Sequence, residues 1–143
     1  MDSLFFRTII KEEEPTVNQH LYRRGSLQKI KDKLQESIKN KNCYVTIGHH
    51  SNPIESLKQS GNIAGIVKDI EIKDGQGVVE VEPLEESLDG GLLKRYNDSG
   101  VNMVMDFRVQ SVLEDDNDGN GNYYVSMDDF NVENVLAVVM GEN

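Results

Sequence analysis

Cysteine is nearly missing from the chain. Cys43 is the single one, so neither an internal disulfide nor a cysteine-built metal cage can form. That usage fits folding in a reducing cytoplasm. Long apolar runs are also missing, and the first eleven residues, MDSLFFRTIIK, are too short and too polar for a signal peptide or a membrane span. No transmembrane helix and no membrane partner are therefore expected. Basic residues are in deficit: Lys plus Arg number 15 against 25 Asp plus Glu, a net charge of −10. Such a surface repels phosphate backbones, which argues against direct nucleic-acid binding and suits solubility or docking on a basic partner. Repeats and linkers are absent. With 143 residues, the chain is expected to form a single domain over residues 1–143.

What is present reads as short strands and two helices. Residues 3–10 (SLFFRTII) are aromatic and β-branched and predict a strand, closed by Glu12–Glu14 and Pro15. A helix is expected from Ser26 to about Lys41, with Ser26 as its N-cap and Leu27, Ile30, Leu34 and Ile38 on one face. Its opposite face mixes lysines with Asp32 and Glu36 and reads as solvated. Cys43–Gly48 predicts a strand entering a polar loop, His49–Gly61. Ile63–Ile72 and Val78–Val81 predict a hairpin whose Asp74-Gly75 turn tolerates positive φ. Ser87 can cap a second helix to about Asp98, burying Leu88, Leu92, Leu93 and Tyr96, with Gly100 as its stop. Val101–Leu113, Tyr123–Asp128 and Val132–Met140 complete the strands. Six or seven antiparallel strands and two helices make an α+β fold with a curved sheet.

The order of motifs resembles that of the prohead (capsid-maturation) serine proteases of tailed phages, the type found in T4-like phages. That family opens with a strand and an Asn-Gly-Arg-x-Tyr motif before a helix; this chain has Asn18-Gln19-His20-Leu21-Tyr22. A strand ending in Gly-His-Pro, with a catalytic histidine, is resembled by Gly48-His49-His50-Ser51-Asn52-Pro53. The glycine-turned hairpin is resembled by Gly65–Val81, and the helix ending in Gly-Val by Leu92–Val101. The final strand of the family resembles Phe130–Val139. The resemblance covers nearly the whole chain and implies a barrel-like, herpesvirus assemblin-like fold with two helices.

The same resemblance exposes a departure. The family follows Gly-Val with a strand carrying Ser-Ser-Arg-Gly, the nucleophile and its neighbours. Here Asp106, Phe107, Arg108 and Val109 stand at those positions, and only the arginine persists. A carboxylate cannot supply the hydroxyl for acyl chemistry, and its charge opposes a developing oxyanion. Phe107 is inert. A histidine base without a nucleophile transfers no acyl group. Asp106, Phe107, Arg108, His49 and His50 are thus expected to be vestigial positions.

Other candidates have plainer readings. His49 and His50 are adjacent, so in extended backbone they point apart and share a metal poorly. Asp116-Asn117-Asp118-Gly119-Asn120-Gly121 resembles the first half of a calcium loop, but Met127 stands where a bidentate Glu belongs. A polar turn explains it equally. Gly90-Gly91 lacks the further glycines and lysine of a phosphate loop. No cofactor and no metal are expected. The resemblance implies a non-catalytic virion protein, an auxiliary or minor capsid protein bound to the major capsid protein and forming an oligomer through the lattice. Two alternatives stay open. One is an active serine endopeptidase using Ser99 or Ser111 with His49 or His50. The other is an internal scaffolding or assembly protein.

Overall fold

The computed structural model describes residues 3–48, 52, 54–128 and 130–140. Its strands are β1 (Leu4–Lys11), β2 (His20–Leu21), β3 (Tyr44–Ile47), β4 (Gly65–Lys73), β5 (Gln76–Pro83), β6 (Met103–Gln110), β7 (Leu113–Asn117), β8 (Tyr123–Val125) and β9 (Asn131–Val139). The helices are α1 (Ser26–Lys39), α2 (Ile54–Ser60) and α3 (Leu88–Asp98). Six strands close a barrel in the order β1-β5-β4-β3-β9-β6, and β2-β8-β7 form a separate sheet. The fold is α+β.

The hairpin forms where the sequence places it. Asp74 and Gly75 take φ of 54° and 79°, the paired left-handed geometry that lets a two-residue turn follow the twist of its strands. On α1, Leu27, Ile30 and Leu34 are buried and Ile38 packs against the same core. The α1 start differs from expectation. Ser26 is the first helical residue, not the cap, and its side chain makes no cap bond. Gly25 precedes it at φ 95°, where an L side chain is strained. The cap comes from β1's end: Glu12 Oε2 accepts from Gly25 N at 3.0 Å and Leu27 N at 2.9 Å. A carboxylate there also complements the helix dipole. On α3, Ser87 caps as expected, its Oγ accepting from Gly90 N at 2.9 Å. Gly90 is required, since a Cβ would lie 1.8 Å from the Leu84 carbonyl oxygen. Leu93 is buried and Tyr96 half-buried, but Leu88, expected inside, is 68% exposed in the first turn. Gly100 ends the helix at φ 76°.

Three expectations are corrected. The barrel is mixed: β1 with β6 and β3 with β9 run parallel, while the other four joints are antiparallel. Alternation along a strand marks its wet face and carries no information on a distant partner's direction. There are three helices among the described residues rather than two. The part of the expected loop from 54 to 60 is α2, which needs only Leu57, 2% exposed, to anchor it. Finally, the expected strand Val101–Leu113 is broken. β6 bulges against β9 between Arg108 and Val109, and β7 leaves for the second sheet. The joint is fixed by Ser126 N donating to Val112 O at 2.8 Å and Ser111 Oγ donating to Ser126 O at 2.6 Å.

Candidate functional site

Alternation along β6 sorts the residues that the resemblance singles out. Met103, Met105 and Phe107 are buried in the core, while Val104 and Asp106 are half-buried on the other face and Arg108 is exposed. Phe107 pairs with Val135, which pairs with Val45, so one row of core side chains crosses β6, β9 and β3. The next row is Asp106, Leu136 and Thr46. Thr46 Oγ1 donates to Gly48 O at 2.8 Å, and Gly48 N donates to Ala137 O at 2.9 Å. The strand end leading to the histidines is therefore fixed. His49 and His50 themselves lie outside the described residues.

Asp106 is a carboxyl in an unusual place. Burial pushes its pKa above the ordinary carboxylate value, partly opposed by Phe107 N, which donates to Oδ1 at 2.9 Å. Tyr22, from the Asn18–Tyr22 stretch, is 9% exposed. Its hydroxyl is pushed up by burial and then by the charge of Asp106. The fold thus brings the two motifs into one electrostatic neighbourhood, a pairing that sequence spacing could not reveal. Arg108 turns outward to Glu133, Nε to Oε2 at 3.5 Å. Arg108 and Glu133 are both well exposed, so this pair contributes little.

The alternative serines are separated from this row. Ser99 is exposed at the C-terminal cap of α3. Ser111 spends its hydroxyl proton on the Ser126 carbonyl. His20, the one histidine among the described residues, sits on β2 beside Tyr123. Cys43 is buried, and burial pushes its thiol up, opposed by a hydrogen bond with Ser37, so it is a poor nucleophile. It lines a cavity of about 390 Å³ between the end of α1, α2, β3 and β9.

The oxygens of the Asp116–Gly121 turn are largely used within the chain. Asn117 Oδ1 accepts from Gly119 N at 2.8 Å, and Asp118 Oδ1 accepts from Asn120 N at 2.8 Å. Asp118 Oδ2 accepts from Asn122 Nδ2 at 2.8 Å, and these bonds hold the Asp118 carboxyl below its usual range. Asp116 and Glu114 both engage Arg23, at 2.7 and 2.8 Å. The Arg23 guanidinium lies 4.0 Å from the centre of the Tyr124 ring, whose hydroxyl donates to Glu13 at 3.0 Å. This network ties the acidic strand β7 to the start of α1. Its partners are about ninety residues apart in sequence, so no local signal announces it. Among the described residues, no group of three or more His, Cys, Asp or Glu is placed to share a metal ion. No described helix is long and apolar enough to cross a membrane.

No family model and no curated protein sequence matches the chain. Among solved structures it is similar to the capsid assembly protease of bacteriophage T4. The identity is 20%, over 96% of this chain and 82% of that one, with a TM-score of 0.76. At that identity the likeness shows the fold: a barrel with helices of the prohead-protease type.

Proposed function

We propose that this chain is a non-catalytic structural protein of a phage virion, an auxiliary or minor capsid protein on a prohead-protease fold, bound to the major capsid protein. An assemblin-like lineage of the fold belongs to the same reading. The observation that carries it is the state of β6. Where the resemblance puts two serines, Phe107 is 3% exposed in the barrel core and Asp106 is a half-buried carboxyl beside Tyr22. Neither can attack a carbonyl as an activated hydroxyl. The remaining residues still build a barrel like that of a protein that works in capsid assembly.

Similarity to a protease equally favours a second reading, an active endopeptidase with a displaced serine. Ser99 and Ser111 are its candidates. The two readings separate in one experiment. The purified protein is incubated with shell and scaffold proteins and, separately, with a fluorophosphonate probe. The structural reading expects intact substrates and no labelling. Labelling of Ser99 or Ser111 that disappears in His49→Ala or His50→Ala would instead establish the protease. A third reading, an internal scaffolding protein, expects the chain in precursor heads and not in mature particles.

A further inference from the structure

Asn120 is followed by Gly121, the one Asn-Gly pair in the chain. Such a pair can react with itself: the backbone nitrogen of the second residue attacks the side-chain amide carbon of the first and closes a five-membered ring. A folded protein permits this only where that nitrogen is free and its approach is open. Both conditions hold here. Asn120 and Gly121 are exposed in the turn that joins β7 to β8. Gly121 N donates to no acceptor among the described residues, and the Asn120 side chain has no partner among them. Gly121 sits at φ 85°, and even an added Cβ would meet nothing closer than 3.9 Å.

The other candidates are closed. Gly119 N donates to Asn117 Oδ1 and Gly90 N to Ser87 Oγ, so Asp118 and Asp89 lack a free attacking nitrogen. Asp74-Gly75 presents a carboxylate, a far poorer electrophile than an amide. Asn18, Asn40, Asn117 and Asn122 each precede a residue whose backbone nitrogen is already hydrogen-bonded.

We propose that Asn120 is a self-modification site, which loses ammonia in water and converts to aspartate and isoaspartate. Gly121 N gives its proton to hydroxide and attacks Asn120 Cγ. As that C–N bond forms, the side-chain nitrogen leaves with a proton as ammonia. Water then opens the ring. Breaking the bond from nitrogen to Cγ leaves aspartate; breaking the bond to the Asn120 main-chain carbonyl carbon leaves isoaspartate, whose chain runs through Cγ. Either product adds one negative charge to a chain of −10.

Isoaspartate also adds a methylene to the main chain at a point the turn depends on. Asp118 Oδ1 accepts from Asn120 N at 2.8 Å and from Asn122 N at 3.3 Å. The extra atom falls between those two donors, so one oxygen no longer reaches both. The turn should loosen while the barrel, which shares none of these bonds, stays intact. The inference is independent of whether the chain cleaves peptides.

The test incubates the purified chain beside a synthetic peptide of residues Asn117–Tyr123, at neutral and at mildly alkaline pH. Conversion is read by peptide mapping with mass spectrometry and by labelling with an isoaspartyl methyltransferase. The folded chain is expected to convert at Asn120 within about tenfold of the peptide's rate, since an exposed turn with a free nitrogen needs little opening. The rate should rise with pH, because hydroxide removes the proton. Asn120→Gln, which would need a six-membered ring, should stay unconverted. Hydrogen exchange in the isoaspartate form should quicken at Asn120–Tyr123 and not in the barrel strands. Asn120→Asp, which carries the charge without the methylene, should keep the slower exchange. A folded chain left unmodified while the peptide converts overturns the proposal, as does another asparagine that converts faster. Exchange unchanged by isoaspartate overturns the loosening of the turn.

Discussion

Phe107 and Asp106 are neighbours on one strand with opposite relations to the core, and substitutions at each should show it. Restoring a serine at Phe107 removes a large buried side chain and leaves a hydroxyl in apolar surroundings. Phe107→Ser is expected to cost about 3–5 kcal/mol, read by denaturant unfolding, and to yield no peptidase activity. Asp106 should behave the other way. Its carboxyl is raised in the folded state by burial, so the folded protein favours the protonated form more than the unfolded chain does. Stability tied to this group is fully present below the ordinary carboxylate value of 3.8 and is lost as pH rises through the higher folded value. Asp106→Asn, which keeps an oxygen for Phe107 N, is therefore expected to raise Tm at neutral pH. That gain should shrink as pH falls through the window. A variant that loses stability at pH 7 would show that the charged carboxyl is held by a favourable partner.

Among the elements, α1 separates what sequence can show from what it cannot. Its buried face is legible because the helical repeat is local: Leu27, Ile30, Leu34 and Ile38 all meet the core. Leu34→Ala is accordingly expected to cost about 2–5 kcal/mol. The cap is not legible. Glu12 lies fifteen residues before Leu27, and nothing in the Glu12–Glu14 run says which carboxylate will turn back onto Gly25. Truncating Glu12 to Ala should cost about 0.5–2 kcal/mol, the range of a lost N-cap. Ser26→Ala should show no such cap loss, since its hydroxyl caps nothing. The opposite ranking in chemical denaturation would return the cap to Ser26. The same division runs through the fold. The Asp74-Gly75 turn and the Ser87 cap were readable because their partners are a few residues away. The parallel joints, the Arg23 network and the Tyr22–Asp106 neighbourhood are not, because each joins segments far apart in sequence. α2 is illegible for a different reason: one anchoring leucine, Leu57, gives no period to detect.

For the whole molecule, the decisive quantity is charge carried on a stable barrel. A protein of −10 that joins a shell must find a surface that tolerates or complements that charge. The proposed function places this chain on the outer or inner face of a capsid lattice. Contact is expected through the stretch His49–Gly61, whose described part includes α2 with Ile54 exposed at 40%. A specific attachment needs on the order of 1,000 Å² of total buried area, more than a single short helix supplies, so neighbouring loops must take part. Because the chain is acidic, the interface should be partly electrostatic. Occupancy on assembled shells is expected to fall as salt rises from low to physiological strength and beyond, since screening shortens the range of such attraction to about 10 Å and less. Imaging of mature virions should then show ordered density for this chain at symmetry-related lattice positions, at a fixed ratio to the shell protein. Density found only in precursor heads would favour the scaffolding reading. Absence from both, with intact shells, would remove the capsid role and leave the fold without that assignment.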